Sequence, residues 1–289
     1  MIVTVPVAST VDLVRKAVAA ARSRGLSVAL VPTMGALHAG HVSLLRAARQ
    51  ESDYVVVSIF VNPIQFGPAE DLERYPRPLD DDLTVCTREG ADLVFAPEAV
   101  TIYPPGYRTY VEVSELADKL CGPARPGHFR GVATVVFKLF QIVRPDVAYF
   151  GQKDAQQARI IQQMVRDLDL GVKLRICPIV REPDGLAQSS RNGYLDANQR
   201  RQAVVLYQAL EEVRGLITAG ERDANRLRQT LAARIRSAPG AALDYAEIVD
   251  ADTLRPLGVV RGDILIAVAV KFGDTRLIDN LPLSGIKDP

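Results

Sequence analysis

The chain has 289 residues, 48% of them hydrophobic, which is enough for one large globular domain or two moderate ones. Its formal net charge of +1 gives no overall attraction to nucleic acid or to an anionic membrane, although a small anionic ligand is compatible with it. The three cysteines, Cys86, Cys121 and Cys177, are too widely spaced for a disulfide scaffold, and they predict a reduced, cytoplasmic setting. The N-terminal stretch does not resemble a signal peptide, and no apolar run is long enough to span a bilayer.

Short apolar runs alternate with helical patterns in the first part of the chain. The predicted strands are residues 27–31, 54–61, 92–97, 146–150 and 173–180. The predicted helices are residues 11–25, 40–51, 129–144 and 154–170. Buried strands joined by crossover helices form parallel sheets, so residues 1–180 are predicted to be a Rossmann-like, doubly wound α/β domain.

The pattern changes after residue 180. The polar stretch at residues 181–196 carries proline and glycine, and it is predicted to be a linker or a mobile loop. Two helices and then three strands are predicted near residues 198–219, 221–237, 243–250, 263–270 and 275–283. Helices followed by strands are typical of an α+β domain, so residues 181–289 are predicted to form a smaller C-terminal lid domain.

The stretch "VPTMGALHAGH" at residues 31–41 contains two of the three histidines, His38 and His41. It follows a predicted strand and opens a helix, which is where open parallel sheets bind ligands. The usual dinucleotide and P-loop signatures are absent, but the glycines allow close backbone approach and the helix N-terminus favours phosphate. Two imidazoles three residues apart are suited to donating hydrogen bonds to a phosphoryl group. The competing interpretations are that the histidines only cap the helix, or that they bind zinc, for which HxxH alone is a weak signal.

Amide and cationic side chains follow two further predicted strands. Asn62 and Gln65 both donate and accept hydrogen bonds, which suits hydroxyl and carboxylate groups, although an ordinary polar loop has the same composition. Lys153 stands at the beginning of a predicted helix, where a cation is unfavourable unless an anion compensates it. The neighbouring Asp154 is suited to capping that helix.

Four other stretches contain polar side chains that are suited to a site, and the sequence leaves their roles open. Residues 189–191 offer two hydroxyl groups and a guanidinium that suit a triphosphate, or they are an ordinary linker. The stretch "LDDD" at residues 79–82 offers carboxylates for Mg²⁺, or it is a charged helix start. Adjacent side chains on a helix point about 100° apart, so only one of Gln156 and Gln157 is expected to reach a pocket. The stretch "GHFRG" leaves the roles of His128 and Arg130 open.

Together these segments resemble one enzyme family. HxGH after a strand resembles the adenylate-forming nucleotidyltransferases related to class I aminoacyl-tRNA synthetases. The order of the segments resembles the pantothenate synthetase (pantoate–β-alanine ligase) family over nearly the full chain, through "SIFVNPIQFG", "DLERYPR", "RPGHFRGVATVV", "FGQKDAQQ", "SSRNGYL" and "VKFGDTRLIDN". The resemblance implies ATP-dependent condensation of (R)-pantoate with β-alanine through pantoyl adenylate, with release of AMP and pyrophosphate. It also implies Mg²⁺, a homodimer, and binding of the nucleotide and pantoate by the domain at residues 1–180.

The resemblance assigns roles to individual residues. It implies catalytic roles for His41, as proton donor, and for His38, Lys153 and Arg191. The implied ATP-binding residues are Met34, Gly35, Ala36, Leu37, His38, Ala39, Gly40, His41, Gly151, Gln152, Lys153, Asp154, Val180, Gln188, Ser189, Ser190 and Arg191. The expected substrate contacts are Gln65, Gln157 and Asn62, and the expected metal ligand is Asp81. Family members commonly carry an apolar residue at Gln188, which puts a side-chain role there in doubt.

Two rival functions stay open at this point. A nucleotidyltransferase that leaves the adenylyl group on its product would use a similar HxGH turn, and product analysis separates it from a ligase. A nucleotide-binding scaffold without turnover is the other rival, and the retention of both histidines, Lys153 and Arg191 argues against it. The expected partners are small-molecule substrates and a second copy of the chain, with residues 109–116 a candidate interface.

Overall fold

The computed structural model describes residues 4–68 and 70–287. These residues divide into two compact units. The first lies within Met1–Ala117, Arg125–Gln152 and Gln157–Pro178, and the second within Asp118–Ala124, Lys153–Gln156 and Ile179–Pro289. A single boundary near residue 180 does not account for the two short segments that join the second unit. Whether the units are separate domains, with the second acting as a lid, stays a prediction.

A parallel sheet organises the first unit. Its strands are β1 (Val7–Ala8), β2 (Val28–Thr33), β3 (Tyr54–Ile59), β4 (Leu93–Phe95), β5 (Val147–Gly151) and β6 (Lys173–Cys177). The order across the sheet is β1-β4-β3-β2-β5-β6, and all five pairings are parallel. The chain therefore moves outward in one direction from β2 and in the other from β5, which confirms the predicted Rossmann-like, doubly wound α/β fold. The crevice at the carboxyl ends of β2 and β5 is the switch point where such sheets bind ligands.

The helices of the same part of the chain are α1 (Val11–Ser23), α2 (Ala39–Glu51), α3 (Leu79–Arg88), α4 (Ala99–Ile102), α5 (His128–Val143) and α6 (Ala155–Asp167). Strands β3, β4 and β6 are shorter than predicted, and β3 and β6 end for a local reason. β3 gives way to a short 3₁₀ turn at Pro63–Gln65, and β6 ends before Pro178, which has no N–H to continue a ladder. The sequence prediction included neither β1 nor α4, and it treated α3 only as an alternative to a metal-binding stretch.

The second unit is an α+β structure, as predicted. Its elements are α7 (Ala197–Ala203), α8 (Val205–Thr218), α9 (Ala224–Arg236), β7 (Ala241–Asp250), β8 (Gly262–Phe272) and β9 (Thr275–Ile286). The strands form an antiparallel sheet in the order β7-β8-β9, and buried leucines of α8 and α9 share one core with the isoleucines and valines of β8. The first predicted helix is interrupted by a turn at Val204, so it becomes α7 and α8.

Candidate active site

The loop between β2 and α2 has an unusual backbone. Gly35 and Ala36 both have positive φ angles, +81° and +51°. A left-handed conformation costs a non-glycine residue about 1–2 kcal/mol, so Ala36 requires compensating contacts. At the end of β2, the Thr33 hydroxyl accepts the Gly35 N–H at 3.1 Å and donates to the Ser58 carbonyl at 2.7 Å. The start of the loop is thereby fixed to β3.

Asp82 of α3 supplies the compensating contacts. Its two carboxylate oxygens accept the N–H groups of Ala36 at 2.9 Å and Leu37 at 2.7 Å. The side chain is buried, which raises the pKa of its carboxyl, while the two backbone N–H groups favour the ionised form and oppose that shift. A Cβ atom on Gly35 would lie 2.8 Å from Asp82 Oδ2, so the loop and the carboxylate fit only with glycine there. Asp81, the predicted metal ligand, is the neighbour of Asp82 along the chain and is exposed.

The two histidines form an imidazole version of a capping box at the beginning of α2. His38 Nδ1 accepts the Gly40 N–H at 3.1 Å, and His41 Nδ1 accepts the His38 N–H at 3.2 Å. The ring centroids are 4.2 Å apart and the rings are tilted by 42°. Capping of the helix by both histidines is therefore confirmed, and their contact with phosphate stays a prediction. A neutral imidazole whose Nδ1 accepts a hydrogen bond carries its proton on Nε2, so capping through Nδ1 is compatible with an Nε2–H group in each ring.

Gln65 connects the loop after β3 to the loop after β2. Its Nε2 lies 3.0 Å from the sulfur of Met34, and its Oε1 accepts the amide of Asn62 at 2.9 Å. The structure therefore brings three predicted site residues together.

Asn62 itself is fully buried. Its Nδ2 also donates to the Gly131 carbonyl at 3.1 Å, and its Oδ1 accepts the Tyr103 hydroxyl at 2.8 Å. Because these bonds occupy both ends of the amide within the protein, we assign Asn62 to positioning Gln65. The expected direct contact between Asn62 and substrate stays a prediction.

A chain of hydrogen bonds through His128, the first residue of α5, holds the backbone of Gln65. His128 Nδ1 lies 2.8 Å from the Gln65 carbonyl, and His128 Nε2 lies 2.9 Å from Nη1 of Arg125. Arginine only donates, so Nε2 accepts and the Nδ1–H donates to Gln65. Arg125 forms a bidentate pair with Glu70 at 2.7 and 2.6 Å. Burial alone would raise the pKa of Glu70, but its bonds to Arg125 and the Arg125 charge outweigh burial and hold that pKa below its usual value.

These contacts answer the question left open by "GHFRG". His128 supports Gln65, and the Arg130 guanidinium lies 4.0 Å above the ring of Tyr110 in a stacking contact. Gly131 completes the support, because a Cβ there would lie 2.5 Å from the Ile64 carbonyl oxygen and 2.7 Å from the Gln65 Cα. Helix α5 thus approaches the Gln65 turn backbone to backbone.

The adjacent glutamines at the beginning of α6 separate as expected. Gln156 is buried, and its Oε1 accepts both the N–H and the Sγ–H of Cys121 at 3.1 Å. Its Nε2 donates to the Lys119 carbonyl at 2.6 Å. Gln156 is therefore a structural anchor, and Gln157, the predicted pantoate contact, is left as the candidate of the pair.

Of the other predicted site residues, Gly151, Gln152 and Gln157 belong to the first unit, whereas Lys153, Asp154, Val180 and residues 188–191 belong to the second. Lys153 belongs to a 3₁₀ turn, Gln152–Asp154, and its carbonyl accepts the Asn280 amide at 2.9 Å. The Gln188 N–H donates to the Val180 carbonyl at 2.9 Å, and the Ser189 hydroxyl caps the following 3₁₀ turn by accepting the Arg191 N–H at 3.3 Å.

The segment at residues 181–196, predicted to be a linker or a mobile loop, contains a short hairpin in its first half. Residues 180–188 close on themselves as a short hairpin, with an antiparallel bridge between Arg181 and Ala187 and a bond from the Glu182 N–H to the Leu186 carbonyl at 2.8 Å. The polar, turn-rich composition that suggested a linker is also the composition of a tight hairpin.

Comparison with known proteins places the chain in a family. The profile described as pantoate-beta-alanine ligase matches residues 6–282. The chain belongs to the pantoate-beta-alanine ligase family. A pantothenate synthetase of Moorella thermoacetica is 57% identical over 274 residues, which cover 95% of this chain and 97% of the relative. One from Acetivibrio thermocellus is 52% identical over 275 residues, covering 95% and 98%.

Solved structures agree with this membership. The pantothenate synthetase of Thermus thermophilus superposes with a TM-score of 0.90 at 44% identity, covering 96% of this chain and 98% of that one. The pantoate-beta-alanine ligase of Francisella tularensis, complexed with beta-gamma ATP and β-alanine, superposes with a TM-score of 0.77 at 35% identity, covering 96% and 97%. The family resemblance inferred from the motifs is thereby confirmed.

Sequence reasoning missed several residues that support the site of this pantoate-beta-alanine ligase. The supporting residues are Asp82, Tyr103, Arg125, Glu70 and Gly131. Asp82 left a weak signal, because it lies four residues before buried Cys86 and so shares the inward face of α3. The others act over long sequence separations and left no local pattern.

The donors available for a metal ion in this ligase are few. Within residues 4–68 and 70–287, no group of three or more His, Cys, Asp or Glu side chains could hold one. Mg²⁺ commonly binds one or two carboxylates and takes its other ligands from substrate phosphates and water. Asp81, in the first turn of α3, fits that pattern as a single carboxylate, and its contact with metal stays a prediction.

Changing His128 tests the support of Gln65. Asparagine at position 128 can still donate a hydrogen bond from near the Nδ1 position, whereas leucine leaves the buried Gln65 carbonyl without that donor. An unpaired buried carbonyl costs about 1–3 kcal/mol, so His128→Leu is expected to raise the KM for pantoate roughly tenfold and His128→Asn much less. Steady-state kinetics with pantoate varied, together with urea unfolding of both variants, check this. A leucine variant with the wild-type KM would contradict the role.

Proposed function

We propose that this ligase condenses (R)-pantoate with β-alanine through a pantoyl-adenylate intermediate, converting ATP to AMP and pyrophosphate. The observation that carries the assignment is the HxGH turn at the sheet switch point, where both histidines use Nδ1 for capping and keep the ring proton on Nε2. The relative solved with beta-gamma ATP and β-alanine supports ATP and β-alanine as ligands of the family.

In the first half-reaction the pantoate carboxylate attacks the α-phosphorus of ATP. A carboxylate O–P bond forms, the bond from that phosphorus to the pyrophosphate oxygen breaks, and pyrophosphate leaves with the electron pair. Negative charge grows on the phosphoryl oxygens, where the Nε2–H groups of His38 and His41 donate hydrogen bonds. His41 is the proposed proton donor. The cations Lys153 and Arg191 compensate the charge of the triphosphate and of the departing pyrophosphate.

In the second half-reaction the neutral amine of β-alanine attacks the acyl carbon of the adenylate. The C–N bond forms, the C–O bond breaks with its electron pair going to the AMP phosphate, and the proton lost by the nitrogen passes to that phosphate or to water. A free carboxylate is not attacked by an amine at useful rates near neutral pH, so the mixed anhydride supplies the leaving group. The protein contributes by positioning the reactants and keeping water from the adenylate.

The amides of Gln65 and Gln157 are the proposed contacts to pantoate. Gln65 is suited to this because its side chain and its backbone are both fixed, by Asn62 and by His128. A fixed amide loses little conformational entropy when it binds a hydroxyl or carboxylate group.

ATP is proposed to lie along residues 34–41 and 151–154 and residues 188–191, with the backbone of Val180 reading adenine. The Val180 carbonyl already accepts the Gln188 N–H, which ties these two predicted contacts to each other. Mg²⁺, bound mainly by the phosphates and by Asp81, would screen the charge of the triphosphate.

The last two expectations concern the location of the protein and its oligomeric state. In the part of the chain that the structure describes, no helix is long and apolar enough to cross a membrane. We propose a cytoplasmic homodimer, and sedimentation equilibrium at several protein concentrations tests the oligomeric state.

Exchange of labelled pyrophosphate into ATP tests the adenylate directly. The exchange is expected to require pantoate and to proceed without β-alanine, because the first half-reaction is complete and reversible before the amine enters. Exchange that is independent of pantoate would contradict the proposal. Product analysis in the full reaction adds a second check, since free AMP is expected, and an adenylylated final product would instead indicate a nucleotidyltransferase.

A further inference from the structure

Two neighbouring residues of β9 hold the two segments that carry the proposed triphosphate cations. Asn280 is buried, and its Nδ2 donates to the carbonyl of Lys153 at 2.9 Å. Asp279 is also buried, with 1% of its side chain exposed, and its carboxylate accepts both terminal nitrogens of Arg181 at 2.6 and 3.0 Å. Asn280 therefore binds the Lys153 turn, and Asp279 binds the beginning of the hairpin that leads to Arg191.

Arg181 sets the base of that hairpin. It donates to the Gly185 carbonyl at 3.0 Å, and its guanidinium stacks on the ring of Tyr207 at 4.4 Å. Gly185 approaches the same ring so closely that a Cβ there would overlap it. Contacts with Asp279 and with the ring of Tyr207 thus hold the hairpin in place just before Gln188 and the residues that follow.

Asp279 also interacts electrostatically with a cation on each of the two segments, Arg181 and Lys153. Burial raises the pKa of Asp279, while the bonds to Arg181, the Arg181 charge and the more distant Lys153 charge favour its ionised form. The Asn280 N–H adds a further hydrogen bond to the carboxylate at 2.8 Å. The carboxylate is therefore bound by one cation of the hairpin and lies within the field of the cation on the neighbouring turn.

We propose that Asp279 and Asn280 are positioning residues that fix the Lys153 turn and the hairpin before residues 189–191 in one arrangement, so that both cationic segments meet the same polyphosphate. This inference rests on the proposed roles of Lys153 and Arg191. Neither Asp279 nor Asn280 needs to touch substrate, because each acts through a backbone carbonyl or a guanidinium.

A double-mutant cycle between Asn280→Ala and Lys153→Ala tests the inference. Residues that act through one another are non-additive, so Asn280→Ala is expected to raise the KM for ATP in pyrophosphate exchange roughly tenfold in the wild-type background and to have little effect when Lys153 is already alanine. The KM for pantoate is expected to stay near the wild-type value. Equal effects of Asn280→Ala in the two backgrounds would overturn the inference, as would the absence of any effect in the wild type.

Two further measurements keep the outcomes separate. If Lys153→Ala alone leaves exchange unchanged, the proposed role of Lys153 fails, whatever Asn280→Ala does. If Asn280→Ala does not fold, as judged by circular dichroism, the decision passes to a second cycle between Arg181→Lys and Arg191→Ala. Arg181→Lys keeps a cation beside Asp279 but loses the two-pronged geometry. Its effect on the KM for ATP is expected to disappear in the Arg191→Ala background, and an unchanged effect there would overturn the inference.

Discussion

His41→Ala is expected to lower kcat by about 10²–10⁴-fold, the range for loss of a general acid or of a hydrogen-bond donor to developing charge. The same change removes the Nδ1 that accepts the His38 N–H, and a lost helix cap costs about 0.5–2 kcal/mol of folding free energy. The variant therefore combines a large kinetic effect with a modest loss of stability. Steady-state kinetics and urea unfolding on the same preparation measure both.

A matched variant separates the two roles of His41. The Oδ1 of asparagine can accept the His38 N–H from near the position of Nδ1, but asparagine has no group at the Nε2 position. His41→Asn is therefore expected to unfold at nearly the wild-type urea concentration and to be as slow as His41→Ala. Wild-type turnover in the asparagine variant would remove the Nε2–H from the mechanism and leave His41 as a cap only.

The sequence was sufficient to predict five of the six strands of the parallel sheet and the position of the HxGH turn. Apolar runs such as residues 27–31 have a period that identifies buried strands, and chemistry-bearing residues after them must gather at one edge of a parallel sheet. It was harder to predict that capping by the histidines is compatible with the proposed phosphate binding. Capping and phosphate binding were treated as competitors, whereas an imidazole has two nitrogens and one of them caps while the other keeps its proton.

The choice between Asp81 and Asp82 shows why the rest could not be predicted. Both carboxylates lie in the first turn of α3, and only the rotation of that helix decides which one turns inward to hold the Ala36 and Leu37 N–H groups. That rotation is set by packing, which no local pattern records. The support of Gln65 is equally non-local, because His128 lies 63 positions away along the chain. The segments around Cys121 and Gln156 join the second unit for the same reason.

Gly131→Ala is expected to impair the enzyme although alanine is the better helix former. In an unconstrained helix this change stabilises by up to about 1 kcal/mol. Here the new methyl group would meet three backbone atoms of the Gln65 turn at 2.5–2.8 Å, and backbone cannot rotate away as a side chain can. Overpacking of this kind costs about 1–3 kcal/mol, so we expect a net loss of stability together with a raised KM for pantoate.

Gly215→Ala is the matched control, because Gly215 is also helical and lies in α8. Among the described residues, a Cβ atom at position 215 would meet nothing within 4 Å beyond its own helix. The variant is expected to be slightly more stable than the wild type and to keep the wild-type KM. Urea unfolding of both variants and kinetics with pantoate varied make the comparison. If Gly131→Ala were stabilised as much as Gly215→Ala, helix α5 would have room to move away from Gln65, and the backbone contact would not be what fixes the Gln65 amide.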